Sequence, residues 1–168
     1  MRNILYCLIF FSLLGCEQKQ SCEKITFNQS VLDSVKKKSD TSYTRKYRTE
    51  EFAVADYFVN RKDSTVCQIM KDTAEIIRQV IMAKNDRRFF TAEYYDNGQL
   101  QAKLPFDKNG KFDGPAEYYF ESGCVMRSGH FVHGFFHGEW KNFDERGNLL
   151  SVDIYDENGQ LINSSSKK

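Results

Sequence analysis

The hydrophobic and polar positions divide the chain into three zones. Residues 4–14 form an apolar run that only Ser12 interrupts, and residues 17–42 are mostly polar. From residue 50 onward, short runs alternate apolar with polar residues, which is the pattern of half-buried β-strands. The pattern predicts a mainly β fold behind a disordered, flexible N-terminal tether at residues 16–42, in which residues 25–35 have weak helical spacing.

Residues 43–88 are predicted to form an N-terminal β-rich segment. Within it, residues 64–83 fit two templates. The apolar residues have the spacing of an amphipathic helix, but β-branched residues are frequent and Lys71-Asp72-Thr73-Ala74 would form a turn between strands at 65–70 and 76–82. Because β-branching disfavours helices, we expect the hairpin, with the helix as the alternative.

Residues 89–162 repeat with a period close to 24 residues, and a polar tail of residues 163–168 follows them. Glycines recurring in register mark the turns of a supersecondary repeat. Three of these glycines follow an asparagine, and the resulting Asn-Gly dipeptides predict type I′ hairpin turns, in which both central residues need positive φ. We therefore expect an antiparallel meander of repeated β-hairpins. The repeat glycines form three series with steps of 24 or 25 residues: Gly98, Gly123 and Gly147; Gly110, Gly134 and Gly159; Gly114 and Gly138.

This arrangement resembles the MORN repeat variant. The shared pattern is aromatic-x-x-x-x-Gly, then Leu or Val, then Asn-Gly-x-x-x-Gly-x-aromatic, and it extends over residues 89–162. The resemblance implies a fold of MORN-like hairpins. Many bacterial proteins with this repeat carry the label of YwqK-type antitoxins, which implies neutralisation of a toxin by binding. The turn type stays open at His133, which replaces an Asn, and at Gly123-Cys124.

The first residues have the features of an export signal. Arg2 supplies a positive charge, and the apolar run is shorter than the roughly 20 residues of a transmembrane helix. Leu13-Leu14-Gly15-Cys16 resembles the lipobox of bacterial lipoproteins. The resemblance implies that residues 1–15 are cleaved, that lipid on Cys16 anchors the protein to a membrane of the cell envelope, and that Glu17 directs it to an outer membrane. An ordinary signal peptide is the alternative.

Charge and cysteine content narrow the function further. Without Arg2 the 24 basic residues become 23, which equals the 23 acidic residues, so nothing predicts a nucleic-acid partner. Cys22 falls in the predicted tether. Cys67 and Cys124 either pair or are buried free thiols, because spacing alone gives no Cα–Cα distance.

The candidate chemistry is sparse. The chain has no G-x-S-x-G elbow, P-loop or H-E-x-x-H motif, so we expect no enzyme and no cofactor. The three histidines lie close together at His130, His133 and His137. We expect His133 and His137 to be turn residues beside repeat glycines, with a metal site as the alternative; we therefore predict no metal.

The aromatic residues suggest a binding role. The pairs Tyr94-Tyr95, Tyr118-Tyr119 and Phe135-Phe136 must point to opposite sheet faces, so one face would expose a ladder of rings. We take Tyr94, Tyr118 and Trp140 as candidate binding residues for a protein or cell-wall glycan partner. Cross-strand stabilisation is the alternative. The sequence thus predicts a membrane-anchored, non-enzymatic lipoprotein with a binding or scaffolding sheet, or alternatively an antitoxin.

Overall fold

The computed structural model describes residues 22–47, 49 and 52–166. The signal segment and Cys16 lie outside the described residues. Within these residues, one helix, α1 (Gln29–Lys38), precedes eleven strands. The strands are β1 (Thr41–Lys46), β2 (Val54–Asn60), β3 (Thr65–Lys71), β4 (Ile77–Lys84), β5 (Arg87–Tyr94), β6 (Leu100–Pro105), β7 (Gly114–Tyr119), β8 (Val125–Val132), β9 (Phe135–Phe143), β10 (Leu149–Tyr155) and β11 (Leu161–Ser166).

All eleven strands form a single antiparallel sheet in which each strand pairs with the next along the chain. This order confirms the mainly β fold of repeated hairpins. It also settles the ambiguous stretch 64–83, which forms the hairpin of β3 and β4 with Ile69 opposite Val80. The sheet continues without a break from β4 to β5, so the segment before residue 89 and the repeats after it share one sheet.

The Asn-Gly turns differ from the predicted type I′. At residues 107–110, Gly110 has φ 78° and Asn109 is not a positive-φ residue. Gly110 N donates to Asp107 O at 3.1 Å, and Asp107 Oδ1 accepts from Asn109 N and Lys111 N. This is a type I turn followed by a left-handed glycine. The prediction was wrong because the aspartate side chain holds the amide of Asn109 in the type I geometry.

True two-residue turns with two positive φ angles occur elsewhere. Asn85 and Asp86 have φ 50° and 60° between β4 and β5, and His133 and Gly134 have φ 50° and 93° between β8 and β9. His133 is therefore a turn residue, as predicted. All eight repeat glycines have positive φ, but two of them lie within strands and not in turns, namely Gly114 in β7 and Gly138 in β9.

The segment from Cys22 to α1 is packed against the sheet. Cys22 forms a disulfide with Cys124, and Ile25 O accepts from Leu100 N at 2.8 Å. Asn28 caps α1 by accepting from Val31 N through its side chain. The flexible tether predicted for residues 16–42 is thus wrong from residue 22 onward, because a covalent bond and backbone hydrogen bonds fix this stretch.

Two further boundaries change. Residues 41 and 42 already belong to β1, and residues 163–166 of the predicted polar tail belong to β11, which pairs with β10. Both strands are edge strands whose side chains are mostly exposed. Their sequences lack the apolar alternation that marks half-buried strands, so the pattern did not reveal them.

The two faces of the sheet follow from the pairing register, since directly opposed residues share a face. The helix-covered face carries Phe58, Ile69, Val80 and Ala92, against which α1 packs through Leu32 and Val35. The other side, here called the open face, carries the row Tyr43, Tyr57, Gln68, Ile81 and Thr91 and continues through Ala102, Tyr118, Arg127 and Asn142.

The described residues include no helix that is both long and apolar enough to cross a membrane.

Candidate binding surface

The open face holds a compact aromatic group in its C-terminal half. Ala102, Leu104, Ala116, Phe131 and Trp140 are buried there. Half-buried rings surround them, and several meet at close range: the centroids of Phe136 and Trp140 are 4.6 Å apart in an edge-on arrangement. Such aromatic pairs stabilise a sheet beyond the area that they bury.

Arg127 lies at the centre of this group. Its guanidinium carbon is 4.6 Å from the ring centroid of Phe136 and 4.7 Å from that of Trp140. Its Nη2 donates to the hydroxyl of Tyr155 at 2.9 Å and is 3.8 Å from Asp153 Oδ2. The side chain remains 25% exposed. Ring stacking and the ion pair fix the guanidinium in one place, with part of it still open to solvent.

Asp153 remains charged beside Arg127. Its pKa is lowered chiefly by the hydrogen bond from Ser164, and the hydrogen bond from Asn142 and the charge of Arg127 act in the same direction. Ser164 Oγ donates to Asp153 Oδ1 at 2.7 Å, and Asn142 Nδ2 donates to Oδ2 at 2.9 Å. The carboxylate is therefore satisfied by side chains of β9 and β11, and holds Arg127 electrostatically.

The N-terminal end of the open face carries a second group, here called the tyrosine cluster: Tyr43, Arg45, Tyr47 and Tyr57. The rings of Tyr43 and Tyr57 stack with centroids 4.7 Å apart and planes 9° apart. The guanidinium of Arg45 lies 5.4 Å from one centroid and 5.5 Å from the other. Tyr43 is 44% exposed. The cluster thus presents a flat aromatic surface beside an exposed positive charge.

A hydrogen bond of 2.5 Å joins the hydroxyls of Tyr47 and Tyr57. Burial, followed by this hydrogen bond, raises the pKa of Tyr57 to about 12. The Tyr57 phenol therefore stays protonated at neutral pH. Arg45 and the tyrosine hydroxyls provide donors around an apolar stack, which suits recognition of a planar or polar polymer such as a polypeptide.

The structure places the three predicted binding residues differently from the sequence analysis. Trp140 is 0% and Tyr94 is 8% exposed, so neither contributes to an exposed aromatic ladder. Tyr94 is two residues after Ala92 on β5, so its ring lies on the same face and packs into the core of the helix-covered face. Tyr118 is half-buried on the open face, with its ring centroid 6.4 Å from that of Trp140.

The tyrosine cluster was missed by sequence reasoning. Tyr43 and Arg45 belong to β1, whose polar sequence the sequence analysis divides between the end of the tether and the start of the β-rich segment. The available signal was the alternation Tyr43-x-Arg45-x-Tyr47, which places three large side chains on one face of a strand.

The three histidines occupy different kinds of position: His130 and His137 lie on strands, and His133 lies in a turn. His130 and His137 face each other across β8 and β9, and both are exposed. His137 is therefore a strand residue, and the turn position predicted for it was wrong. His133 Nδ1 is 3.4 Å from Asp107 Oδ2. No set of three or more His, Cys, Asp or Glu side chains is placed to hold a metal ion in the part of the chain that the structure describes.

Of the two alternatives for the cysteines, the buried free thiol is right for Cys67, and neither is right for Cys124. Cys124 bonds to Cys22 and not to Cys67, which is a buried free thiol. Cys67 forms part of the wall of a half-open cavity of about 460 Å³ between α1 and the sheet, together with Val35, Phe58 and Met82. Burial raises the pKa of the Cys67 thiol to about 11. At neutral pH the thiol is protonated and behaves as an apolar wall residue.

Comparison with known proteins identifies the repeat. The chain contains the MORN repeat variant at residues 92–111, which cover the end of β5, all of β6 and part of the following turn, and at residues 136–153, which cover most of β9 and β10. No curated protein sequence matches the chain.

Three solved structures show a distant likeness. Accessory secretory protein 1, 2 and 3 of Streptococcus pneumoniae matches 78% of this chain and 23% of its own, with 16% identity and a TM-score of 0.37. TarM matches 63% and 22%, with 5% identity and a TM-score of 0.35. The GtfA/B complex bound to UDP and GlcNAc matches 88% and 27%, with 9% identity and a TM-score of 0.34. This chain spans about a quarter of those chains.

Proposed function

We propose that this chain is a lipid-anchored protein of the cell envelope whose open face binds a partner without catalysing a reaction. The observation that carries the proposal is the Cys22–Cys124 disulfide. Disulfides persist in oxidising compartments outside the cytosol and are rare within it. The bond therefore supports export, in agreement with the apolar run 4–14 and the lipobox-like sequence that ends at Cys16.

The anchor is tested on Cys16 itself. Two or more acyl chains anchor a protein stably, whereas one chain is marginal. In the full-length chain, Cys16→Ala should abolish metabolic labelling with a fatty-acid probe and release the protein from the membrane fraction. Cys7→Ala, within the signal segment, is the matched control and should leave labelling unchanged. Persistent labelling of the Cys16→Ala variant would refute the anchor.

Sorting to an outer membrane is a separate part of the proposal. It rests on Glu17, the residue that follows Cys16. In a cell with two membranes, density-gradient fractionation should place the intact protein in the outer membrane and a Glu17→Asp variant in the inner one. Recovery of both proteins in the same fraction would contradict this role of Glu17.

The tyrosine cluster supports the binding role. Aromatic and arginine side chains are enriched at protein interfaces and provide most of the binding free energy there. In this cluster, Tyr43 and Arg45 are exposed and already held in place by stacking with Tyr57. Because less side-chain entropy is lost when such groups bind, we propose this end of the open face as the main contact for a protein partner.

The binding test compares two variants of the same strand. The intact lipoprotein, cross-linked in its own membrane and purified, should recover a partner. The double variant Tyr43→Ala/Arg45→Ala should recover at least about tenfold less, because loss of an interface hot spot costs roughly 2 kcal/mol. Ser42→Ala, on the opposite face of β1, is the matched control. Equal recovery with all three proteins would overturn the tyrosine cluster as the binding site, and recovery of cell-wall glycan would change the class of partner.

The antitoxin function is the alternative form of the same proposal. It would use the open face to cover a toxin, as the label of many proteins with this repeat implies. Since the disulfide favours an exported protein, the toxin would have to be exported or located in the envelope as well. Co-expression with the protein encoded next to this chain tests the alternative: rescue of growth that depends on Tyr43 and Arg45 supports it, and no toxicity of that neighbour removes it.

A further inference from the structure

The N-terminal segment is fixed along the row of turns at one end of the strands. Cys22 bonds to Cys124 at the turn between β7 and β8, and a side chain on Gly123 would collide with the carbonyl of Glu23. Three residues further on, Ile25 N donates to Gln99 Oε1 at 3.1 Å, and Ile25 O accepts from Leu100 N, at the turn between β5 and β6. The segment is thus held at two neighbouring turns.

Alternate turns of a meander lie on the same edge. The turns at residues 95–99, 120–124 and 144–148 lie at one end of the strands, here called the anchor edge. The turns at 85–86, 106–113 and 133–134 lie at the opposite end, here called the far edge. Cys124 Sγ, which carries no hydrogen in the disulfide, lies 2.8 Å from Glu145 O, so the turn 120–124 contacts the turn 144–148. The disulfide is therefore attached to the middle of the anchor edge.

We infer that the anchor edge is held at the membrane surface and that the far edge projects away from it. This inference rests on the proposed lipid anchor at Cys16. Only residues 17–21 separate Cys16 from Cys22, and a fully extended chain of this length reaches about 20 Å. If the chain were first fixed at the start of β1, at residue 41, the linker from Cys16, here called the leash, would reach roughly 80 Å. The disulfide and the hydrogen bonds of Ile25 shorten it about fourfold.

The geometry of attachment sets which edge is nearer. The strands contain 6 to 9 residues, so the two edges are roughly 20–30 Å apart. Whatever the tilt of the sheet, the anchor edge stays within reach of the leash, whereas the far edge can extend by a further strand length. Because the sheet cannot tilt its far edge into the lipid bilayer, the far edge is on average farther from the membrane than the anchor edge.

The charge of the anchor edge does not favour contact with the membrane, so the tether accounts for its position near the membrane. The three turns at 95–99, 120–124 and 144–148 carry four acidic residues and one basic residue. This edge therefore has no electrostatic attraction for anionic lipid head groups, and only the covalent connection keeps it near them. A partner in the envelope would meet the far edge and the open face first. The acidic residues are Asp96, Glu121, Asp144 and Glu145, and the basic residue is Arg146.

Energy transfer to the membrane tests the inference. The full-length acylated protein, in a Cys67→Ser background, receives a fluorophore at either Arg146→Cys or Asn109→Cys, which occupy the same position in equivalent turns on the two edges. In phosphatidylcholine vesicles with an acceptor head-group lipid, transfer from position 146 should be at least about twofold higher than from position 109, given the roughly 20–30 Å between edges. Insertion of a 20-residue Gly/Ser spacer after Lys19 should reduce this difference, because a longer flexible linker allows more orientations of the sheet.

The outcomes are distinguishable. Equal transfer from the two positions in protein whose mass confirms the acyl chains overturns the orientation alone. A difference in transfer that is undiminished after insertion of the spacer shows that the short linker is not its cause and also overturns the inference. A mass without acyl chains on Cys16 overturns the proposed anchor, and the orientation falls with it.

Discussion

The indole ring of Trp140 lies directly against the backbone of Gly129. A Cβ built on Gly129 would overlap the ring atoms Cδ2, Cε2 and Cγ. Trp140 Nε1 donates to His130 O at 3.0 Å, so the ring is fixed both by packing and by a hydrogen bond. The absent side chain on β8 is what allows the largest side chain of β9 to be fully buried on the open face.

Gly129→Ala should destabilise the protein by about 1–3 kcal/mol or more, because Trp140 has no space to move away from an added methyl group. Urea unfolding followed by the fluorescence of Trp140, the single tryptophan of the chain, measures this change. Ser128→Ala, the neighbouring strand position, is the control and should change stability by less than about 0.5 kcal/mol. A Gly129→Ala variant as stable as the control would show that the indole ring is not held there.

Removal of the disulfide should destabilise the fold. The bond closes a loop with a sequence separation of 102 residues, and removal of a native disulfide typically costs about 2–5 kcal/mol. Cys22→Ser should therefore lower the urea midpoint, and dithiothreitol should lower that of the native protein to the same value. Cys67→Ser, which leaves the bond intact, should respond to dithiothreitol as the native protein does. A midpoint insensitive to both changes would contradict a stabilising bond.

The turn at residues 107–110 predicts a difference between two substitutions. Gly110 has φ 78° and open space around its Cα, so an added side chain causes backbone strain without a steric clash. Gly110→Ala should cost about 1–2 kcal/mol, and Gly110→Asn less, because asparagine tolerates the left-handed region better. Thermal unfolding of both variants gives the comparison. Equal stability of the alanine variant and the native protein would exclude the left-handed glycine.

The Cys67 thiol predicts a loss of stability at alkaline pH. Burial raises its pKa in the folded state to about 11, compared with 9.0 for an unperturbed thiol. Unfolding releases the thiol to ionise at the lower pH, so its contribution is fully present below about pH 9 and is lost as the pH rises to about 11. The free energy of unfolding should therefore fall over this interval, and fall less steeply in Cys67→Ala.

Reactivity provides an independent check of the same thiol. In the folded protein at pH 8, Cys67 should react with a maleimide far more slowly than in urea, because the group is buried and protonated. Fast labelling without denaturant would show that the cavity beside α1 admits the reagent.

The repeats were predictable from the sequence because their signal is local. Glycines at steps of 24 or 25 residues mark positions of positive φ, and they do so whatever lies across the sheet. The type of turn was not, because it depends on the side chain of the first turn residue, as at Asp107. A dipeptide rule that considers only Asn109-Gly110 ignores this contribution.

The elements that escaped prediction depend on contacts distant in sequence. Cys22 lies in a polar stretch, and nothing near it indicates a partner 102 residues away. The sequence analysis predicts an exposed Trp140, because neither the sequence of β9 nor the spacing of the repeat shows that Gly129 on β8 leaves space for the ring. β1 became visible only through its pairing with β2, in which Tyr43 stacks on Tyr57.

The meander also acts as a molecular ruler. Neighbouring strands are about 4.8 Å apart, so the seven steps from β1 to β8 separate the ring of Tyr43 from the guanidinium of Arg127 by roughly 34 Å along the sheet. Inserting or deleting one hairpin of the repeat would change this spacing by about 10 Å and leave the other hairpins intact, because each strand pairs only with its immediate neighbours. The number of hairpins therefore sets the distance between the two aromatic groups of the open face.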